Sequence, residues 1–183
     1  TTLLVQHGDE TLDLANIPAR IAAVKRCDGE VVLTLKDIAL TFADGITATL
    51  QTEIHITADA KIIFCRQITG VSDPDASILL TEYCKGCWGA TEYPEEMGGI
   101  LLGTDQETLS YDYEGRCLTG RNCTVYASIP ALETTIGLTP LEGEFVKSEV
   151  EEGYLFNPYY TLRQSANLTC GKGMKTALWL RKN

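Results

Sequence analysis

The chain has 183 residues, 44% of them hydrophobic and 22% charged, with a formal net charge of −10. That length suffices for one ordinary domain with a real core, and the composition excludes a disordered polymer. No apolar run reaches the roughly 18 residues of a membrane-spanning helix, and an acidic chain whose only dense basic groups are Lys25-Arg26 and Arg181-Lys182 is a poor partner for nucleic acid.

Residues 1–10 lack the basic start and apolar core of a signal peptide, so the chain reads as a mature or excised segment. Residues 17–26 offer one helix. Asn16 stands at the cap, Pro18 in the first turn and Lys25-Arg26 at the end, while Leu14, Ile17, Ile21 and Val24 share a face. The same stretch also reads as a strand. Val31, Leu33 and Leu35 then alternate in one parity and Ile38, Leu40 and Phe42 in the other, which requires a bulge or tight turn at Lys36-Asp37. Asp44-Gly45 supplies a hairpin turn into the clearest signal of the chain. There Ile46, Ala48, Leu50, Thr52, Ile54 and Ile56 alternate with Thr47, Thr49, Gln51, Glu53, His55 and Thr57, a strand with one wet face.

Further apolar runs follow at 61–68, 77–84, 124–129, 143–150, 154–156, 159–163 and 176–180. Turn chemistry stands at 70–74, 94–99, Gly115, Gly120, 137–140 and 171–173. The expected fold is mainly β: an antiparallel β-sandwich or two packed β-layers, disulfide-stapled, with at most one or two short helices. One domain over 1–183 accommodates it, and a subdomain break, if present, falls near 70–76.

Seven cysteines, Cys27, Cys65, Cys84, Cys87, Cys117, Cys123 and Cys170, are spread over most of the chain. Two Asn-x-Thr sequons accompany them, at Asn122 and Asn167, as in secreted proteins. Zinc would need two close pairs. Cys84-x2-Cys87 is one, but Cys117-x5-Cys123 is too widely spaced, so no metal is expected. A redox Cys-x-x-Cys would stand at a strand-to-helix junction, whereas Trp88 to Pro94 reads as loop. Disulfides are therefore the expectation, with a local Cys117–Cys123 bridge reasonable and a strained Cys84–Cys87 ring excluded. The odd count implies a free thiol, or a covalent neighbour in a partner or in the rest of a longer chain.

Catalytic signals are weak. His7 and His55 are the only imidazoles, and no Gly-x-Ser-x-Gly, His-Glu-x-x-His or phosphate-loop pattern occurs. The acids Asp105, Glu107, Asp112 and Glu114, and Glu149, Glu151 and Glu152, keep a paired-carboxylate hydrolase as an alternative. The most unusual stretch is 84–103, where cysteines and glycines flank Trp88, Tyr93, Met97, Ile100 and Leu101, a candidate interaction loop for a protein partner or, less favourably given Glu92, Glu95 and Glu96, a membrane. In composition the chain resembles ectodomain pieces of envelope or cell-surface glycoproteins. That resemblance implies a non-enzymatic, extracellular recognition or assembly domain of a larger protein, without cofactor, with a viral envelope segment as the narrower version.

Overall fold

Residues that alternate apolar and polar at a period of two form strands with one apolar face, and such faces need a second layer. The computed structural model, which describes residues 2–87, 99–112, 114–153 and 159–183, supplies it as two antiparallel sheets. The smaller contains β1 (Thr2–His7), β2 (Glu10–Asp13), β8 (Ile78–Cys87), β11 (Cys117–Gly120), β14 (Phe145–Glu152) and β15 (Tyr159–Leu168). Its order is β11-β14-β15-β8-β1-β2. The larger contains β3 (Ile21–Cys27), β4 (Glu30–Leu35), β5 (Ile38–Thr41), β6 (Thr47–Thr57), β7 (Lys61–Thr69), β9 (Leu101–Thr104), β10 (Thr108–Ser110), β12 (Val125–Ile129), β13 (Thr134–Glu142) and β16 (Gly173–Lys182). It runs β10-β9-β12-β13-β16-β7-β6-β4-β3, with β5 also paired to β6. Residues 70–77 carry the chain from one sheet to the other. Short 3-10 turns at Leu14–Asn16 and Pro130–Leu132 are the only helical turns among the described residues.

The parity flip at Lys36-Asp37 has a simple origin. β4 and β5 pair with successive parts of β6, Thr34 opposite Glu53 and Ile38 opposite Leu50, so residues 35–37 face only 51–52. The extra residue turns the alternation over. Asp44-Gly45 makes the expected turn, with the Gly45 N–H donating to the Phe42 carbonyl at 2.9 Å and Gly45 at a φ of +87°.

Of the two readings of residues 17–26, the strand holds and the helix does not: residues 21–27 form β3, because Asp28-Gly29 turns the chain straight into β4 and the ladder satisfies the backbone. Residues 137–140 are not a turn but the middle of β13. Gly137 stands opposite Trp179 of β16, where any Cβ would fall inside the indole ring. Pro140 is tolerated because the β12 flank of β13 ends at Leu138 and the ladder shifts between Pro140 and Glu142.

The disulfide-stapled part of the expected fold finds no support among the described residues. Cys27, Cys65, Cys84, Cys117, Cys123 and Cys170 are all free thiols. Cys117 lies on the outward parity of β11, whereas Cys123 is buried with its sulfur over Gly120, so the two point to opposite sides of the sheet. The Cys87 side chain lies outside the described residues.

Between the sheets the interior divides into two apolar clusters. One gathers Leu3, Val5, Leu40, Phe42, Leu50, Ile68, Ile78, Leu80, Phe145, Leu168 and Met174. The other gathers Cys84, Ile100, Leu102, Tyr111, Val125, Leu138, Val150, Tyr160 and Leu162. A polar layer separates them. Glu82 of β8, fully buried, accepts two hydrogen bonds from Arg66 of β7 at 3.0 and 3.2 Å, and Arg66 also donates to the Thr52 hydroxyl at 3.0 Å. Opposite Glu82 in the ladder, Gln164 donates to the carbonyls of Cys123 and Leu138 at 2.8 and 3.0 Å and accepts from Ser148 at 2.8 Å.

Thr176, opposite Phe64 in the ladder, is also fully buried, yet its hydroxyl has no hydrogen-bond partner. Replacing it with the isosteric valine removes an unmet polar group, so Thr176→Val should raise the unfolding free energy by about 1 kcal/mol in urea titrations. A loss of stability would show that the hydroxyl is bound.

Candidate functional site

Two surfaces of the larger sheet stand out. The first is apolar. Along β6 the inward positions run Ala48, Leu50, Thr52, Ile54, Ile56; the first three are buried, but Ile56 is 42% exposed. In the ladders Val24, Leu33, Ile54 and Phe64 form one row, and Arg26, Val31, Ile56, Ile62 and Leu178 the next. Val24 is 55% exposed, and Ile21 and Leu180 also lie open. The main contacts of β3 and β4 are with their neighbours in the same sheet. The ten-stranded sheet thus extends past its partner and leaves one end of its inner face uncovered.

The second surface is a groove of about 610 Å³ on the outer face of the same sheet. Its floor is one cross-strand row, Thr34 of β4, Glu53 of β6, Cys65 of β7, Lys175 of β16 and Glu142 of β13. Asp37, Gln51 and Gln67 extend the lining. Gln51 donates its amide hydrogen to Asp37 at 3.1 Å, Gln67 donates to the Gly171 carbonyl at 3.1 Å, and Lys175 pairs with Glu142. Desolvation pushes the Cys65 thiol up; Lys175 pulls it down, and Glu53 and Glu142 add to the rise. The net rise keeps the thiol protonated near neutrality. Glu53 and Glu142 are three strand spacings apart, about 14 Å, which exceeds the separation used by either class of glycoside hydrolase.

The sequence-predicted residues distribute widely. His55 is held between Glu30 at 2.8 Å and Glu53 at 3.6 Å, beside the groove. His7 is tied to the Ser77 carbonyl at 3.0 Å and to Asp44 at 3.1 Å. Of the first acidic group Asp112 is held in an ion pair and Asp105 accepts from the Thr124 N–H at 2.8 Å, while all three acids of the second group are in ion pairs. Buried Glu152 meets Arg116 at 2.9 Å, and Asp112 meets the same guanidinium at 2.6 Å. Glu149 and Glu151 share Arg163 at 2.6 and 2.9 Å. Of the interaction loop, Ile100 is fully buried in the second cluster and Leu101 faces outward; Trp88, Tyr93 and Met97 lie outside the described residues. Asn122, at a φ of +53° after β11, and Asn167, in β15, are both exposed. Among the described residues no helix is long and apolar enough to cross a membrane, and no cluster of metal-ligating side chains occurs.

No protein-family model and no curated protein matches this sequence. Solved structures do match in fold. The 4-alpha-glucanotransferase from Thermococcus litoralis aligns with a TM-score of 0.52 at 10% identity, over 100% of this chain and 27% of its own. The alpha-galactosidase from Lactobacillus brevis gives 0.51 at 10% identity, over 98% and 26%. A mutant of heparan sulfate lyase HepC from Pedobacter heparinus gives 0.50 at 12% identity, over 90% and 22%. The chain therefore spans about a quarter of the length of these structures and is similar in fold to the matched part of each.

The free thiols can be ranked chemically. Cys27, Cys117 and Cys170 are all exposed, but desolvation and the Glu149 carboxylate push the Cys117 thiol up to about 11. Iodoacetamide at pH 7.5 should label Cys27 and Cys170 first. Labelling of Cys117 should lag and accelerate steeply as pH rises toward 11. Mass spectrometry showing Cys117 among the first labelled, or any of these sulfurs in a disulfide, would contradict the assignment.

Proposed function

We propose that the chain is a non-enzymatic assembly domain of a larger protein, docked through the uncovered apolar end of its ten-stranded sheet against a neighbouring domain. The observation that carries this is the open end of the two cross-strand rows, where Val24 and Leu33 stand beside Val31 and Ile56, an apolar face with strand order and register that becomes covered only toward Phe64 and Leu178. Contiguous exposed apolar surface of this kind marks an interaction site. In three solved structures of this fold the matched portion is 22–27% of the chain, embedded in a much longer polypeptide, which supports the same reading. The protonated Cys65 and the wide separation of Glu53 and Glu142 favour binding over catalysis. The exposed sequons at Asn122 and Asn167 support an extracellular setting.

The isolated chain should bind a hydrophobic dye in its native state and self-associate with rising concentration. Val24→Lys with Ile56→Lys, both at exposed positions, should abolish dye binding and self-association while leaving the melting temperature within about 4 °C, the shift that 1 kcal/mol produces in a domain of this size. A native wild-type chain that binds no dye and stays monomeric in analytical ultracentrifugation would refute the docking face.

A further inference from the structure

We infer that the outer-face groove is a binding site for a neutral oligosaccharide, a role separate from the assembly face on the opposite side of the same sheet. Its volume of about 610 Å³ falls among ligand-holding clefts, which span roughly 300–1,000 Å³. The floor is a sheet face whose backbone groups are engaged in the ladders between β4, β6, β7, β16 and β13, so nothing remains there for a peptide strand to pair with. Apolar lining is confined to Leu35 and Met174, which offers no anchor pocket for a protein side chain. Recognition must come from side-chain polar groups.

Those groups have a definite polarity. The Gln51 and Gln67 amide nitrogens are turned to Asp37 and to the Gly171 carbonyl, which leaves their oxygens, with the carboxylates of Asp37, Glu53 and Glu142, as the acceptors facing the groove. Lys175 and the protonated Cys65 stand in the middle of the row as donors. A ligand must donate to several acceptors along the rim and accept at the centre, which vicinal hydroxyls do and a donor-only polyamine does not. Of the two cations in the lining, Arg66 is committed to Glu82 in the interior, so three carboxylates stand against the Lys175 ammonium and repel sulfated or carboxylated sugars. On the same outer face, four residues along β16 from Lys175, half-buried Trp179 covers Gly137 and offers an aromatic surface beyond the groove.

Titration calorimetry of the intact chain against neutral malto-, xylo- and manno-oligosaccharides, a heparin-derived sulfated tetrasaccharide and spermidine tests the site. At least one neutral series should bind with a Kd of about 1 mM or tighter, with little dependence on salt. The double variant Gln51→Ala, Gln67→Ala and the single variant Glu53→Gln should each weaken it about tenfold or more, with unchanged circular dichroism and melting temperature. Trp179→Phe should weaken only the longer oligomers. The site is overturned if only spermidine or only the sulfated sugar binds, if neutral binding survives the groove variants, or if no neutral sugar binds at about 10 mM. None of these outcomes alters the dye-binding and self-association results expected of the apolar face.

Discussion

The bidentate pair between Arg66 and Glu82 is the constraint on which the rest of this sandwich depends. A fully buried carboxylate is costly unless its charge is matched and its lone pairs are filled. Here one guanidinium does both, at 3.0 and 3.2 Å, and spends a third nitrogen on Thr52. Because Arg66 rises from the ten-stranded sheet and Glu82 from the six-stranded one, the pair fixes how the two sheets slide over each other. A purely apolar interface would tolerate several such offsets. With the Gln164 amide bonded across the same gap, one offset alone satisfies both groups.

That offset determines the surfaces. It sets the first apolar cluster on one side of the polar layer and the second on the other, and it leaves Ile54 and Ile56 of β6 beyond the reach of the smaller sheet. The uncovered end is thus a consequence of unequal sheets held in one register. On the opposite face the same strands present their polar parity, which becomes the groove. Glu53 and Ile54 are adjacent in sequence, yet one belongs to the groove and the other to the docking face.

Much of the fold was legible because alternation is a local property. The strand at 46–57, the hairpin at Asp44-Gly45 and the change of parity at Lys36-Asp37 follow from residues within a few positions of each other. β1, β2, β9, β10 and β11 were missed, being three to six residues long with too few alternations to register. β13 was hidden by Gly137 and Pro140, whose turn chemistry is overridden by Trp179 across the ladder. The polar layer did leave a trace. Glu82 interrupts Leu80 and Cys84, Arg66 interrupts Phe64 and Ile68, and Gln164 interrupts Leu162 and Ala166, each on the buried parity of its strand. The groove left none, since Thr34, Glu53, Cys65, Glu142 and Lys175 meet only once the register across five strands is known. The number of cysteines suggested staples, whereas the six that are described stand as free thiols, some exposed and some buried.

A double-mutant cycle on Arg66→Met and Glu82→Leu, followed by urea unfolding, measures the central constraint directly. Each single change strands a buried charge and should cost about 3–5 kcal/mol, while the double variant, which removes both charges, should return to within about 1 kcal/mol of the parent. Single losses below about 1 kcal/mol that simply add would contradict the claim that this pair sets the register of the two sheets.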